Sequence, residues 1–148
     1  MASAALLLDY LFMGALIEQR LRDEVSGLSV HGIEQLAQAT EANTRSLDAF
    51  VLFEGEAFAE ADAGRASASS QLVTQKWTVL LAVRNASQVD ANGRNSTAGP
   101  YLYRIHRALS GWMPPDTHRA MRRTNGRQAS YGGNTALYPL TFSITLNI

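Results

Sequence analysis

Cysteine is absent from this 148-residue chain, and histidine is scarce. Without cysteine there can be no disulfide framework and no thiolate metal site, and nothing in the composition indicates an oxidising compartment. The histidines are His31, His106 and His118, and no two of them have the i, i+4 spacing with which two histidines on one helix hold a metal. We therefore interpret each one as a surface or packing residue.

Motifs for catalysis and phosphate binding are missing as well. The chain has neither a Gly-x-Ser-x-Gly nucleophile elbow nor a Walker-type loop. The stretch DANGRN begins at Asp90 like a calcium loop, but its glycine comes two residues early and its twelfth position is Tyr101 instead of glutamate. The stretch YGGN at 131–134 precedes a strand pattern, so we interpret it as a turn. We expect no metal, no cofactor and no enzymatic activity.

The apolar stretch AALLLDYLFMGALIEQRL near the N-terminus raises the question of an export signal or a membrane span. It has no basic region in front of it, Asp9 interrupts it, and Glu18 and Arg20 lie within its last turns. We therefore expect neither a signal peptide nor a membrane partner. The pattern instead predicts a core-facing helix over residues 4–24, closed by Gly27.

The net charge is zero, but the two halves of the chain differ in sign. Residues 1–62 carry eleven acidic and three basic side chains, whereas residues 63–148 carry two acidic and ten basic ones. In one domain, this split gives either an acidic and a basic surface, as in subunits that meet head to tail, or charges that interleave in space and cancel. The sequence leaves both arrangements open.

Two strands are predicted after a short helix over 33–42, and the LSVH stretch before that helix is either a strand or a turn. The strands, over 47–55 and 71–85, form a hairpin with a long polar loop over 56–70. The second strand is apolar on both faces, which are formed by Trp77, Val79, Leu81 and Val83 on one side and by Leu80 and Ala82 on the other. Such a strand belongs in the middle of a covered sheet.

A third helix is predicted to start at Pro100, after a polar loop over 86–99, and to stop at Gly111. Its apolar face comprises Leu102, Ile105, Leu109 and either Trp112 or Met113. A basic, turn-rich segment over 116–135 leads to a final strand over 138–148. The order of elements predicts a single α+β domain over residues 1–148, in which a small, mostly antiparallel β-sheet carries two to three helices packed on one face.

The basic segment contains Arg119, Arg122, Arg123 and Arg127. A patch of this kind contacts DNA phosphates, or it faces an acidic surface on a neighbouring subunit, which the first half of this chain supplies. Tyr131 is the only aromatic residue nearby, so stacking on bases is not favoured. Contact with DNA, contact with protein and plain solvation of the segment all stay open.

Four stretches after the apolar first helix carry a resemblance to a known family. They are DAFVLFEG (48–55), QKWTVLLAVRN (75–85), LYRIHRALSGWMP (102–114) and YGGNTALYPLTFSI (131–144). In order and spacing the chain resembles the tail terminator proteins of long-tailed bacteriophages, of the type found in Mu-like phages. The resemblance spans most of the chain.

The resemblance implies a structural protein with no catalytic residues. It implies a homohexameric ring that caps the tail tube, halts its polymerisation and joins the tail to the head and neck connector, with genomic DNA passing through its lumen. The expected partners are thus the chain itself, the tail tube protein, the connector and DNA. The expected location is the tail–neck region of the virion, after assembly in the host cytoplasm.

Within such a ring, we expect the final strand at a sheet edge, where its backbone pairs with a neighbouring subunit. Its polar residues Thr141, Ser143 and Thr145 then line a lumen or an interface, and the polar loops 56–70 and 86–99 are further interface candidates. The alternatives are another head–tail joining or neck completion protein, a DNA-binding accessory protein that uses segment 119–127, and a small enzyme without a recognisable site.

Overall fold

A computed structural model describes residues 9–32, 47–59, 71–84, 91–115, 117, 119–132 and 135–148. Its elements are helix α1 (Phe12–Glu24), strands β1 (Ser29–Gly32), β2 (Leu47–Phe58) and β3 (Leu72–Arg84), helix α2 (Ala91–Leu109), and strands β4 (Arg122–Thr124), β5 (Ser130–Gly132) and β6 (Thr135–Asn147). The α+β fold is confirmed, and LSVH contributes to a strand. The predicted helix over 33–42 and most of the loop over 56–70 lie outside the described residues.

The six strands form one sheet in the order β1-β2-β3-β6-β4, and β5 also pairs with β6. β1 runs parallel to β2, and every other described pair is antiparallel. β3 lies at the centre, as its two apolar faces predict. Trp77, Val79, Leu81 and Val83 belong to one buried cluster, and Leu80 and Ala82 belong to a second cluster on the opposite face.

Both described helices pack on the first of these faces, which we call the helix face. Ile17 and Leu21 of α1 and Ile105 and Leu109 of α2 are fully buried there. Gln75 is also buried on this face, but its amide donates to the Tyr10 carbonyl oxygen and accepts from the Trp77 indole N–H. The polar side chain therefore has partners, which removes most of the cost of burying it.

Helix α2 begins nine residues before the predicted start at Pro100, so the prediction of a loop over 86–99 is wrong for residues 91–99. Ala98 and Ile105 are seven residues apart and both are fully buried, which extends the apolar stripe towards the N-terminus of the helix. Pro100 is exposed on the other side. Gly111 ends the helix as predicted, in a left-handed conformation with a φ of 84°.

The expectation that the final strand lies at a sheet edge is wrong, because two short strands pair with parts of its second side. β6 pairs with β3 along one side, while its other side, which we call the outer side, pairs with β5 at 135–137 and with β4 at 141–143. The segment predicted to be turn-rich thus supplies two short strands. Among the described residues, no strand pairs with the outer side of residues 144–147.

The direction of the backbone groups explains a proline inside this strand. Gln71 and Ile148 exchange both backbone hydrogen bonds, at 2.7 and 2.8 Å, so the N–H and C=O groups of Ile148 point towards β3. These directions alternate along a strand, so the backbone N–H and C=O groups of the odd-numbered residues of β6 point to the outer side. Pro139 is one of them, and it lies in the gap between β4 and β5. Its missing N–H therefore costs the sheet no hydrogen bond.

Candidate interaction surface

Strand β4 separates two adjacent arginines onto opposite faces of the sheet. Arg123 pairs with Phe142 on the helix face, where its guanidinium lies 5.7 Å from the centroid of the Phe142 ring and 3.3 Å from Nδ1 of His106. Partial burial lowers the pKa of the Arg123 guanidinium from its usual value. Arg122 pairs with Ser143 on the other face, which we call the distal face. Arg123 is therefore not part of a surface that includes Arg122.

An open cleft of about 400 Å³ lies on the distal face beside β4 and the outer side of β6. Its lining residues are Arg119, Ala120, Arg122, Ser143 and Thr145. Both arginines are exposed, and Ser143 and Thr145 are half-buried. The structure thus brings together four of the seven residues that the sequence singled out, and we call this site the distal cleft.

Lys76 lies beside the distal cleft on the same face of the sheet, although the sequence did not single it out. It pairs with Ser143, which in turn pairs with Arg122, so the three residues form a row across β3, β6 and β4. Neighbouring strands lie about 4.8 Å apart, so the two cations start from backbones roughly 10 Å apart. Alternation along β3 places Lys76 on the same face as Leu80 and Ala82, but only the register of the sheet places it in line with Arg122.

The threonine hydroxyl groups on the distal face form two hydrogen-bonded pairs, one half-buried and one buried. Thr145 hydrogen-bonds to Thr74 at 2.9 Å, and both residues are half-buried. Thr141 hydrogen-bonds to Thr78 at 2.8 Å, but both residues are buried. The backbone of Gly126 packs directly on the Thr141 side chain. Thr141 therefore stabilises the sheet from within and does not line the cleft.

Arg127 is held away from the cleft by an ion pair. Its Nε lies 3.0 Å from Oε2 of Glu54, on β2. Thr124 on β4 and Ser130 on β5 are six residues apart, whereas their partners on β6, Thr141 and Leu137, are only four residues apart. The extra length bends the connection between β4 and β5 over the distal face, where Gly126 packs on Thr141. Because the Arg127 side chain is 64% exposed, the pair contributes at most about 1 kcal/mol to stability.

In the described part of the chain, the acidic and the basic side chains differ in whether they have partners. All seven described side-chain carboxylates have a partner within the chain. The contacts join Glu18 to Arg22, Glu24 to Arg20, Asp48 to His31, Glu54 to Arg127, Glu56 to Tyr10, Asp23 to Gln19, and Asp9 to the backbone N–H of Leu11. Lys76, Arg119 and Arg122 have no ion pair with a described carboxylate. Among the described residues, a positive excess therefore remains at the distal cleft.

The histidines in the described ranges have packing contacts. His31 Nε2 lies 2.9 Å from Oδ1 of Asp48, and its ring stacks on Phe50 at a centroid distance of 5.3 Å. His106 contacts Arg123, and His118 lies outside the described residues. Across the part of the chain that is described, no three residues of metal-binding type come together. In the same ranges, no helix is long and apolar enough to cross a membrane.

Comparison with known proteins adds one finding to this geometry. A family model described as "Phage tail terminator protein" matches residues 7–148, which include every element of the fold described above. No curated protein sequence matches the chain significantly. The family match covers nearly the whole length and agrees with the resemblance carried by the strands and by α2. The chain belongs to the phage tail terminator family.

Proposed function

We propose that this chain forms a homohexameric ring that caps the tail tube, stops its polymerisation and joins the tail to the head and neck connector. The family match over residues 7–148 carries the proposal, because it makes the chain a structural component of a phage tail and hence of the virion. Its position within the virion is then the tail–neck region. Its partners are further copies of itself, the tail tube protein, the connector protein, and the DNA that passes through the lumen.

The outer side of β6 supplies a physical route to subunit contact. Thr145 and Asn147 point their backbone N–H and C=O groups to that side, beyond the end of β4. A segment from the next subunit can add to this edge as a further strand, held by main-chain hydrogen bonds. Such a contact joins two different surfaces, and a head-to-tail contact of this kind closes into a ring when its rotation divides a full turn.

The edge contact can be tested with a pair of substitutions at Asn147, an exposed residue at the end of β6. Asn147→Pro removes the outward N–H group and leaves the pairing with β3 intact, whereas Asn147→Ala changes the side chain alone. We expect the wild-type chain and Asn147→Ala to form annuli in negative stain and to show several times the monomer mass by light scattering. Asn147→Pro should stay monomeric. Rings in both variants would place the subunit contact elsewhere.

The capping activity needs a separate assay. Added to polymerising tail tube protein, the chain should stop elongation, so that tube length measured by electron microscopy falls as its concentration rises. A chain that stays monomeric at high concentration, with tail tubes present, would refute the ring. Density in the virion neck away from the end of the tube would favour the alternative function of another head–tail joining or neck completion protein.

A further inference from the structure

We propose that the distal cleft binds the phosphate backbone of duplex DNA through Lys76, Arg119 and Arg122. The inference deepens the proposed function and rests on it only for where in the virion the DNA is met. It names the partner that this face of the sheet contacts. The binding itself needs no other virion protein, so it is tested with the purified chain.

The chemistry of the cleft fits a row of phosphates. Lys76 and Arg122 flank Ser143 on three neighbouring strands, and Arg119 lies beside Arg122 in the same cleft. Three cations with a lining of hydroxyl groups supply both the charge and the hydrogen-bond donors that phosphate oxygens accept. Lys76 and Arg122 lie on strands that each pair with β6, so their side chains, and not the backbone that carries them, lose freedom on binding.

The described carboxylates of a second copy of the chain suit these charges less well than phosphates do. Every described carboxylate already contacts a partner within its own subunit, including Glu18 and Glu24 in ion pairs on α1. A carboxylate whose charge is already offset by a cation of its own subunit gains less from a second cation in the cleft. DNA carries one negative charge per about 1.7 Å of helix axis, and the counterions that it releases on binding favour the complex.

The lining also determines what kind of DNA binding to expect. None of its five described lining residues is aromatic, so these side chains offer bases no surface on which to stack. Contacts to phosphate alone position a duplex without reading its sequence. The cleft should therefore bind duplexes of different sequence equally well, and the affinity should fall steeply as salt rises.

The test is fluorescence anisotropy with short DNA duplexes of two unrelated sequences, measured over a range of salt concentrations. Each neutralised phosphate contributes about −0.9 to the slope of log K against log salt, so three contacts predict a slope near −2.7. Lys76→Ala and Arg122→Ala should each reduce the steepness by about 0.9, and the double variant by about twice that. Arg107→Ala removes an equal charge from an exposed position on α2 and should leave the slope unchanged.

Ring assembly of each variant, measured by light scattering, separates this inference from the proposed function. Loss of DNA binding with assembly retained supports the inference. It is overturned if the double variant keeps the wild-type slope, if Arg107→Ala lowers the slope as much as Arg122→Ala, or if the wild-type chain shows no binding at low salt. Loss of assembly with DNA binding retained would also overturn it, since the cleft would then be a subunit contact.

Discussion

The buried hydroxyl pair of Thr78 and Thr141 offers a direct test of how β3 and β6 are held together. Their Oγ1 atoms lie 2.8 Å apart. The two residues are only 1% and 4% exposed, so water cannot replace a lost partner. Thr78→Val removes one hydroxyl group but keeps the branched shape of the side chain, and it leaves the Thr141 hydroxyl buried without its hydrogen bond.

The expected loss follows from the cost of an unsatisfied buried group, about 1–3 kcal/mol, so we expect Thr78→Val to lower the free energy of unfolding by about 2 kcal/mol. For a domain of this size, that loss lowers the Tm by roughly 4–8 °C. Replacing both hydroxyl groups by methyl groups leaves no unsatisfied partner. The double variant, Thr78→Val with Thr141→Val, should therefore be more stable than either single variant.

Urea unfolding of the wild type, both single variants and the double variant gives the required free energies. One protein concentration must be used throughout, because self-association changes the apparent stability. The half-buried pair of Thr74 and Thr145, with Oγ1 atoms 2.9 Å apart, is the control. Water reaches that pair, so Thr74→Val should cost less than about 1 kcal/mol. Additive losses in the double variant, or equal losses at Thr74 and Thr78, would refute the reasoning.

Two further substitution pairs test the packing. A Cβ on residue 126 would overlap the Thr141 side chain, so Gly126→Ala should destabilise by about 1–3 kcal/mol in thermal unfolding. Gly132→Ala meets open space and should change stability by less than about 0.5 kcal/mol; equal effects would contradict the close packing. Leu109→Ala, in the core, should cost about 2–5 kcal/mol, whereas Met113→Ala, at a 58% exposed position, should cost less than about 0.5 kcal/mol.

The parts of the fold that depend on local periodicity could be predicted from the sequence. The two apolar faces of β3 identify the central strand because burial on both sides requires apolar residues on both sides. Helical spacing likewise identified Ile105 and Leu109 as buried. It left open whether Trp112 or Met113 continues their face. In the structure Trp112 packs on the core and Met113 is exposed. Helical spacing could not decide between them, because the chain leaves the helical path at Gly111.

The start of α2 could not be predicted because its first turns have weak helical signals. Residues 91–99 contain two glycines and several small polar side chains, which locally favour a loop. In the folded chain Ala98 is fully buried in the helix-face core. Packing of this kind outweighs a low helix propensity, since most helical stability in proteins comes from tertiary contacts. The same packing leaves Pro100 inside a helix that it was expected to begin.

Strands β4 and β5 were missed for a related reason. Their sequences, RRT and SYG, are polar and short, and no alternation marks them as strands. They are strands because the outer side of β6 offers backbone groups to pair with, and that partner lies farther along the chain. Beyond the end of β4, no described strand pairs with the outer side of residues 144–147, and we propose that side for the subunit contact.

By itself, the sequence determined the α+β class, the central strand, the buried face of α2, and the family, because each of these depends on the kind and spacing of residues along the chain. The tertiary structure alone decided which cations act together. Arg122 and Arg123 are neighbours in sequence but lie on opposite faces of the sheet. Lys76 lies in line with Arg122 on the same face, because both pair with Ser143. The reason is physical: alternation separates adjacent side chains in a strand, and only the register of paired strands decides which distant ones meet.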